Sequence, residues 1–531
     1  MSCRSSKTAT AGESMVVDLN PVSAVETKIV AHHIGGEPCS PANGRYFDVV
    51  SPSTGDVIAK VASGDRVDAD AAIAAAQNAY PDWDSCGRSE RAALLHRVAD
   101  IIESRKDEFA GEESRDTGKP LALAREIDVP RVIANFRFFA DYLPTYQDPV
   151  VYDGDDGCNY TIQRSIGPVA LITPWNLPLL LLSWKTAPAL AMGNTVVAKP
   201  SERAPLTAAL LAEVFAEAGA PAGIFNVIHG FGHEAGQPLC EHKDIGAISF
   251  TGGTVTGKTI GMTAGGLFKK HSLEMSGKNP ALVFEDADLE LAVDGTVRSG
   301  FLNQGQVCLC TSRLLVHESI YQEFVDRFVE ATNVLKIGDP AAPDTQIGAL
   351  IDKQHLEKVR GCIGRAVSQG GVITTGGDAL ELEAPFDRGA FLRPTVITGL
   401  DEHSDLYSEE VFGPVVSVHS FASEDDAVKL ANIGRYGLCA SIWTRDKDRG
   451  RRVSDQIRTG MFWINGWMVR DLRVPFGGVK DSGNGCEGGR ESFDFFTEPC
   501  NVCMCRKKPH SQRSGSSAEV ASGFFRGLPN R

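Results

Sequence analysis

The stretch VALITPWNLPLLLLSWKTAPALAMGNTVVAKP, residues 169–200, decides the fold. Val169-Ala170-Leu171-Ile172 is a short apolar run stopped by Thr173-Pro174, which reads as a strand buried on both faces. Leu180 to Ala191 is long and apolar enough for a buried helix. Thr195-Val196-Val197-Ala198 is a second buried strand. Strand, helix and strand in this order form a βαβ unit, with the two strands parallel and the helix crossing over the sheet. Ligands of such sheets sit beyond the carboxyl ends of the strands. Two polar turns occupy those places here, Thr173-Pro174-Trp175-Asn176-Leu177-Pro178 and Lys199-Pro200-Ser201-Glu202.

The rhythm continues outward. A helix is predicted over Leu206–Ala218, with strands at Phe225-Asn226-Val227-Ile228 and Ala247-Ile248-Ser249-Phe250. A second series starts at Ala281-Leu282-Val283-Phe284. It runs through a strand at Ser312–Val316, a helix at Ile320–Thr332 and strands near 394–397 and 414–419. Two tandem doubly wound, Rossmann-like α/β domains follow. Upstream, helices are predicted over Asp68–Tyr80, Glu90–Phe109 and Ala122–Tyr142, and Ser51-Pro52-Ser53-Thr54-Gly55 reads as a turn between strands. The alternation at 150–166 reads as a hairpin strand. Residues 1–28 and 506–531 are small and polar, and read as flexible extensions.

Composition narrows the partners. The chain has 531 residues and a net charge of -15. It carries no basic stripe, so nucleic acid is not an expected partner. No run reaches the ~18 apolar residues of a membrane span. The thirteen cysteines are scattered, and no apolar leader precedes them. That reads as reduced thiols in the cytoplasm, with mitochondrial import less favoured because Glu13 and Asp18 lie in the leader region. Cys500, Cys503 and Cys505 lack a completing half-site, so no metal is expected.

Several turns can carry chemistry. Phe301-Leu302-Asn303-Gln304-Gly305-Gln306-Val307-Cys308 sets a cysteine after an amide-rich bend, where Asn303, Gln304 and Gln306 are candidate donors to a thiolate. Cys310 is a second candidate. Asn176, fixed between two prolines, reads as a turn-former or as a donor to a developing oxyanion. Lys199 and Glu202 read as a solvated pair or as a grip on a ribose diol, the acid favouring NAD over NADP. The glycine-rich turns Gly230–Gly236 and Phe250-Thr251-Gly252-Gly253-Thr254 can admit phosphates to a helix N-terminus. In isolation, Glu274 reads first as an exposed acid paired with Lys278, and second as a general base.

Together these segments resemble the aldehyde dehydrogenase superfamily, from about Ile29 to Cys505. The motifs stand in family order: TPWNLP at 173–178, AKPSE at 198–202, FTGGT at 250–254, LEMSGKNP at 273–280, FLNQGQVC at 301–308, EEVFGPV at 409–415 and PFGGVKDSG at 475–483. Residues 127–140, 308–313, 355–360, 467–472 and 494–498 add a closer similarity to members acting on aminomuconic and hydroxymuconic semialdehydes. The resemblance implies an NAD-dependent enzyme with Cys308 as nucleophile, Asn176 as oxyanion donor and Glu274 as base. It implies cofactor contacts at Thr173, Pro174, Trp175, Lys199, Ser201, Glu202, Gly232, Phe250, Gly252, Gly253, Met275, Glu410 and Phe412. Glu487 and Lys185 match a proton relay. Arg131 and Arg470 match the residues that bind a substrate carboxylate, with Arg473 as an alternative to Arg470.

The resemblance also implies a division of the chain. Residues 29–147 and 167–277 form the NAD-binding domain, 278–486 the catalytic domain, and 148–166 with 487–505 an oligomerisation arm. The implied partners are a small aldehyde substrate and further copies of the chain, as homodimer or homotetramer. Another aldehyde specificity, such as retinal or betaine aldehyde, and a non-catalytic protein of the same fold are the competing readings. Gly253, Ser276 and Cys486 depart from the family, which has Ser, Gly and Arg there. The Ser276 side chain is expected to restrict the backbone beside Glu274.

Overall fold

The computed structural model describes residues 27–146 and 151–506. The expectations for the two terminal extensions fall almost wholly on residues outside that range. The larger sheet has the order Gly483–Asn484, Lys270–Glu274, Ala247–Thr251, Pro168–Ile172, Thr195–Lys199, Phe225–Val227, His32–Ile34 and Glu37–Cys39. Its five central strands are parallel. From Pro168–Ile172 the chain steps outward to Phe225–Val227, then returns to the other side with Ala247–Thr251. The order therefore reverses between Pro168–Ile172 and Ala247–Thr251. A crevice opens there, at the carboxyl ends of the strands. The turns leaving these two strands are Thr173–Pro178 and Gly252-Gly253.

The second sheet has the order Val372–Thr375, Thr395–Thr398, Val415–Phe421, Thr311–His317, Asn279–Val283, Cys439–Trp443 and Met461–Ile464. All pairs are parallel except the first, an antiparallel edge. The fold class is thus two doubly wound α/β sheets. A third, antiparallel sheet joins Val151–Gly154, Gly157–Ser165 and Thr497–Cys505. Among the described residues no helix is long and apolar enough to cross a membrane.

The helices differ from the sequence reading where a local residue intervenes. The helix predicted over Glu90–Phe109 is two, Arg88–Ser104 and Lys106–Thr117, broken at Arg105 (φ -102°, ψ 20°). The one predicted over Ala122–Tyr142 contains a π-turn at Ala124–Asp128 before Val129–Tyr142. Pro130 has no N–H to give the preceding turn, and a wider turn absorbs that loss. Helix Pro178–Ala191 is buried at nearly every residue. It lies between the larger sheet and helices Arg88–Ser104 and Val129–Tyr142, which is why its sequence has almost no polar face. The strands Lys270–Glu274 and Cys439–Trp443 escaped the sequence reading. The first opens with Lys270-His271, and in the second the small residues Cys439-Ala440-Ser441 leave only Ile442-Trp443 as a strongly apolar pair, so neither shows a clear apolar run.

Among the described residues four histidines are buried, His32, His229, His355 and His419. His229 stacks on His32 at 6.1 Å, and neither of its ring nitrogens has a hydrogen-bond partner among the described residues. Burial, helped by His32, lowers its pKa to about 3. Burial likewise lowers His355 and His419 to about 4. The unfolded chain binds these protons below the ordinary histidine value while the folded chain does not, so each residue withdraws stability as pH falls from neutral. We expect His229→Leu to remove about 2 kcal/mol of the stability change between about pH 7.5 and about pH 5. Urea unfolding of both proteins at the two pH values checks this, and equal changes in the two would refute it.

Candidate active site

Helix Leu289–Phe301 ends at a bend that delivers Cys308. Asn303 and Gln304 both have left-handed backbone, with φ 53° and 58°, and Gly305 follows at φ 68°. Each of the two non-glycine residues costs roughly 1–2 kcal/mol in that conformation. A side chain on Gly305 would stand 2.2 Å from the Gly413 carbonyl oxygen, so only glycine fits. The amides of the bend hold it. Asn303 Nδ2 donates to the backbone oxygens of Asn176 and Gln306, each at 3.2 Å. Gln304 Nε2 donates to Gly118 O at 3.4 Å and Ala349 O at 3.1 Å, and Gln306 Oε1 accepts from the Ile351 N–H at 3.1 Å. This corrects the sequence reading: the three amides bind backbone and brace the turn, rather than donating to the Cys308 sulfur. Behind the turn, Asn279 Nδ2 donates to Cys308 O at 2.7 Å and Cys310 O at 2.9 Å.

The two thiols are separated by this turn. Cys308 lines a cleft of about 820 Å³. Cys310 is buried among Val307, Leu309 and Cys439. Burial, then the nearby Glu410 and Glu274 carboxyls, push the Cys308 thiol far above its usual range, with Arg470 opposing. Asn176 is also buried, with its Nδ2 donating to Gln306 O at 2.9 Å. Its second amide hydrogen is free for the cleft.

Glu274 is buried rather than exposed, and it does not pair with Lys278. Neither of its carboxyl oxygens has a well-formed hydrogen bond among the described residues. Burial and the neighbouring Glu487 raise its pKa well above the usual carboxylate value, against Lys185, the Gly478 N–H and Arg470. Lys185 Nζ donates to Glu487 and to Ser249 Oγ, the latter at 2.9 Å. Lys278 is itself buried without a partner for Nζ among the described residues, and burial lowers it to about 7. A side chain on Gly477 would stand 3.1 Å from Glu274 Oε1 and 3.2 Å from Cys486 Sγ, so the glycine leaves room for both.

The remaining cleft residues gather as follows. Every expected cofactor residue lines the same cavity: Thr173, Pro174, Trp175, Lys199, Ser201, Glu202, Gly232, Phe250, Gly252, Gly253, Met275, Glu410 and Phe412. Lys199 Nζ meets Glu202 Oε2 at 3.3 Å. Gly253 caps helix Thr254–Gly266, and nothing lies within 4 Å of where its side chain would be. Phe412 has φ 61° and stands edge-on to Trp175 at 5.2 Å. His355, whose role the sequence did not show, lies at 5.4 Å from Trp175, with Nε2 at 2.7 Å from Phe412 O. Since burial keeps His355 neutral, its Nε2–H donates to that carbonyl. Glu410 accepts from the Gly277 N–H at 2.9 Å; burial raises its pKa and the Ser276 hydroxyl opposes this. The departure at position 276 thus adds a donor to Glu410.

Arg131 and Arg470 lie outside this cavity. Their guanidinium carbons stand 5.9 Å and 5.8 Å from the Trp184 ring, and Arg470 also lies 4.3 Å from the Phe476 ring. Burial first, and Arg131 second, lower Arg470 to about 10. Arg473, the alternative, is exposed and forks onto Asp471.

A thiol at the inner end of a dinucleotide-sized cleft, between two doubly wound sheets, belongs to a cysteine-dependent oxidoreductase. The profile of the aldehyde dehydrogenase family matches residues 39–502. The 2-aminomuconic semialdehyde dehydrogenase of Danio rerio is 46% identical over 90% of this chain and 98% of its own. The 2-hydroxymuconic semialdehyde dehydrogenase of Pseudomonas sp. (strain CF600) is 47% identical over 90% of this chain and 99% of its own. Among solved structures, the NAD+ complex of an aldehyde dehydrogenase from Bacillus cereus has a TM-score of 0.88 at 37% identity, covering 90% of this chain and 97% of that one. This chain belongs to the aldehyde dehydrogenase family, and is an oxidoreductase acting on aldehydes.

The electrostatics of Cys308 give a test. With its thiolate disfavoured by burial and two carboxyls, alkylation of the free enzyme by iodoacetamide should climb with pH and show no plateau below about pH 9. Mass spectrometry of the peptide carrying Cys308 measures it. A plateau near neutral pH would mean a preformed thiolate.

Proposed function

We propose that this enzyme uses NAD to oxidise a carboxylate-bearing semialdehyde, 2-aminomuconate 6-semialdehyde, to 2-aminomuconate, in tryptophan breakdown through kynurenine. The observation that carries the substrate reading is the pair of Arg131 and Arg470. Both guanidinium groups sit against Trp184, and neither has a hydrogen bond or ion pair among the described residues. Two neighbouring cations partly withdrawn from water call for an anion, and the guanidinium fork matches a carboxylate in two bonds. The aminomuconic relative at 46% identity supports the same substrate. The hydroxymuconic relative at 47% supports its hydroxy analogue as the second reading.

The residues present fit the dinucleotide. Thr173 Oγ1 and Thr251 Oγ1 are buried without partners and belong to cavity-lining residues. The open space at Gly253 admits a phosphate to the helix N-terminus. Lys199 and Glu202 would hold the adenosine ribose, and the Glu202 carboxylate would repel a 2′-phosphate. Glu410 would hold the second ribose, with Phe412 and Trp175 as the apolar wall. When bound, NAD supplies the two-electron acceptor that converts a thiohemiacetal to a thioester.

Cys308 attacks the aldehyde carbon as its thiol proton passes to the ionised form of the neighbouring Glu274, and the Asn176 amide with the Cys308 N–H holds the oxygen as it becomes negative. Glu274 then draws a proton from water, whose oxygen attacks the thioester carbon and releases the acid and the thiol. A carboxyl with a raised pKa is the stronger base once ionised, which suits that task. Glu487 and Lys185 stand behind Glu274 as the path by which the proton leaves.

Arg131→Ala and Arg470→Ala should each raise KM for the muconic substrate about tenfold to a hundredfold, while KM for a neutral aldehyde moves little. In the same assay Cys308→Ser should form no NADH and Cys310→Ser should retain turnover. Unchanged KM in both arginine variants would remove the substrate assignment.

We infer that the enzyme self-associates, as homodimer or homotetramer, through the sheet ending in Thr497–Cys505. Its outer strand Val151–Gly154 is exposed at every residue, an unpaired edge of the kind that pairs with another chain. The scattered thiols suit a reducing compartment, and the cytoplasm is the proposed location, with the mitochondrion the less favoured one. Light scattering after size exclusion reads the assembly, and a monomer at micromolar concentration would exclude it.

A further inference from the structure

Lys119 follows helix Lys106–Thr117 in the segment Gly118-Lys119-Pro120, and its side chain has no exposed surface. Its ammonium makes three contacts: Asp128 Oδ2 at 2.6 Å, the backbone oxygen of Asn176 at 3.1 Å and Glu113 Oε1 at 3.3 Å. An ammonium has three N–H donors, so all are engaged. The same Asn176 oxygen accepts from Asn303 Nδ2, in the left-handed turn before Cys308. One residue earlier, Gly118 O accepts from Gln304 Nε2 in that turn. The segment Gly118-Lys119 therefore reaches both the oxyanion side and the nucleophile side of the site.

The Asp128 contact points elsewhere. Asp128 closes the π-turn Ala124–Asp128 and directly precedes helix Val129–Tyr142, whose third residue is Arg131. Irregular π-turns inside helices often mark functional places. A buried charge cluster is also not the most stable filling for such a space, since apolar residues of similar volume serve stability as well or better. What the cluster adds is direction, because hydrogen bonds fix where Asn176 and the start of this helix stand relative to each other.

We propose that Lys119 is a positioning residue that links the oxyanion donor Asn176 to the helix bearing Arg131, so that holding a substrate carboxylate also sets the oxyanion site. This rests on the roles given above to Asn176 and Arg131. Burial opposes the charge on Lys119, but Asp128 and Glu113 outweigh it and raise its pKa, so the ammonium persists at neutral pH.

The experiment is a double-mutant cycle on the full-length enzyme with NAD, using butanal as a neutral probe and succinic semialdehyde as a carboxylate-bearing one. Lys119→Met should lower kcat for butanal about thirtyfold or more, as expected from a misplaced oxyanion donor, and leave KM for NAD within about twofold. Adding Lys119→Met to Asn176→Ala should then cost less than about threefold further. Losses that multiply would mean that Lys119 only supports the fold, and would overturn the proposal. Asp128→Asn keeps the size and one acceptor, and serves should Lys119→Met fail to fold. It should reduce the preference for succinic semialdehyde over butanal by about tenfold, with no further reduction when combined with Arg131→Ala. An unchanged preference would sever the link to Arg131. The butanal cycle does not involve a substrate carboxylate, so it decides the Lys119–Asn176 coupling even if Arg131→Ala alone shows that the substrate assignment is wrong.

Discussion

The left-handed turn at Asn303-Gln304-Gly305 is the constraint on which the site depends. Two consecutive non-glycine residues occupy a backbone region that costs roughly 1–2 kcal/mol each. The conformation persists because their amide nitrogens donate to backbone oxygens of other elements, at Asn176, Gly118 and Ala349, while Asn303 Oδ1 and Gln304 Oε1 stay buried without partners among the described residues. A buried amide left without partners would cost as much again. Strain and hydrogen bonds thus lock each other. Gly305 completes the turn by passing against the Gly413 carbonyl, and the same approach carries the chain segment that ends in Glu410 and Phe412. The turn therefore fixes Cys308 relative to both walls of the cleft.

Burial sets the chemistry around it. Cys308 and Glu274 are both shifted toward their neutral forms, because each would otherwise be an anion in a poorly solvated place beside other carboxyls. The cations near them are arranged unequally. Lys185 is committed to Glu487 and Ser249, Lys119 to Asp128, Glu113 and the Asn176 carbonyl, whereas Arg131 and Arg470 keep their donors uncommitted among the described residues. Paired cations stabilise the machinery, and unpaired ones are available to a ligand.

The legibility of the protein varied with range. The βαβ order was readable because a strand buried on both faces must be apolar throughout, as at Val169–Ile172 and Thr195–Ala198. Lys270–Glu274 was not, since its first residues face the sheet's edge and only Ser272, Leu273 and Glu274 are buried. The expected cofactor residues, implied by the resemblance and in part by turns at strand ends, all line one cavity. Lys119, Asp128 and His355 were missed. Their importance lies in partners about ten to two hundred positions away, such as Asn176 and Phe412, and no local pattern encodes that. The reading of Asn303, Gln304 and Gln306 failed for the same reason: the sequence shows donors, while the direction of an amide is set by the fold.

Composition and periodicity by themselves determined two doubly wound α/β units, a net negative charge and a cysteine in an amide-rich bend. Those features depend on local chemistry: which residues fill a buried strand, where glycine allows a turn, and how many apolar residues a helix needs. The resemblance already favoured Cys308, Glu274 and Arg470; tertiary structure supplied the physical ground, with Cys308 rather than Cys310 facing the cleft, Glu274 buried beside Glu487 rather than paired with Lys278, and Arg470 rather than Arg473 free of a carboxylate. Each of these is a question of which charges are withdrawn from water together, and desolvation is a property of the packed fold that no single stretch of chain carries.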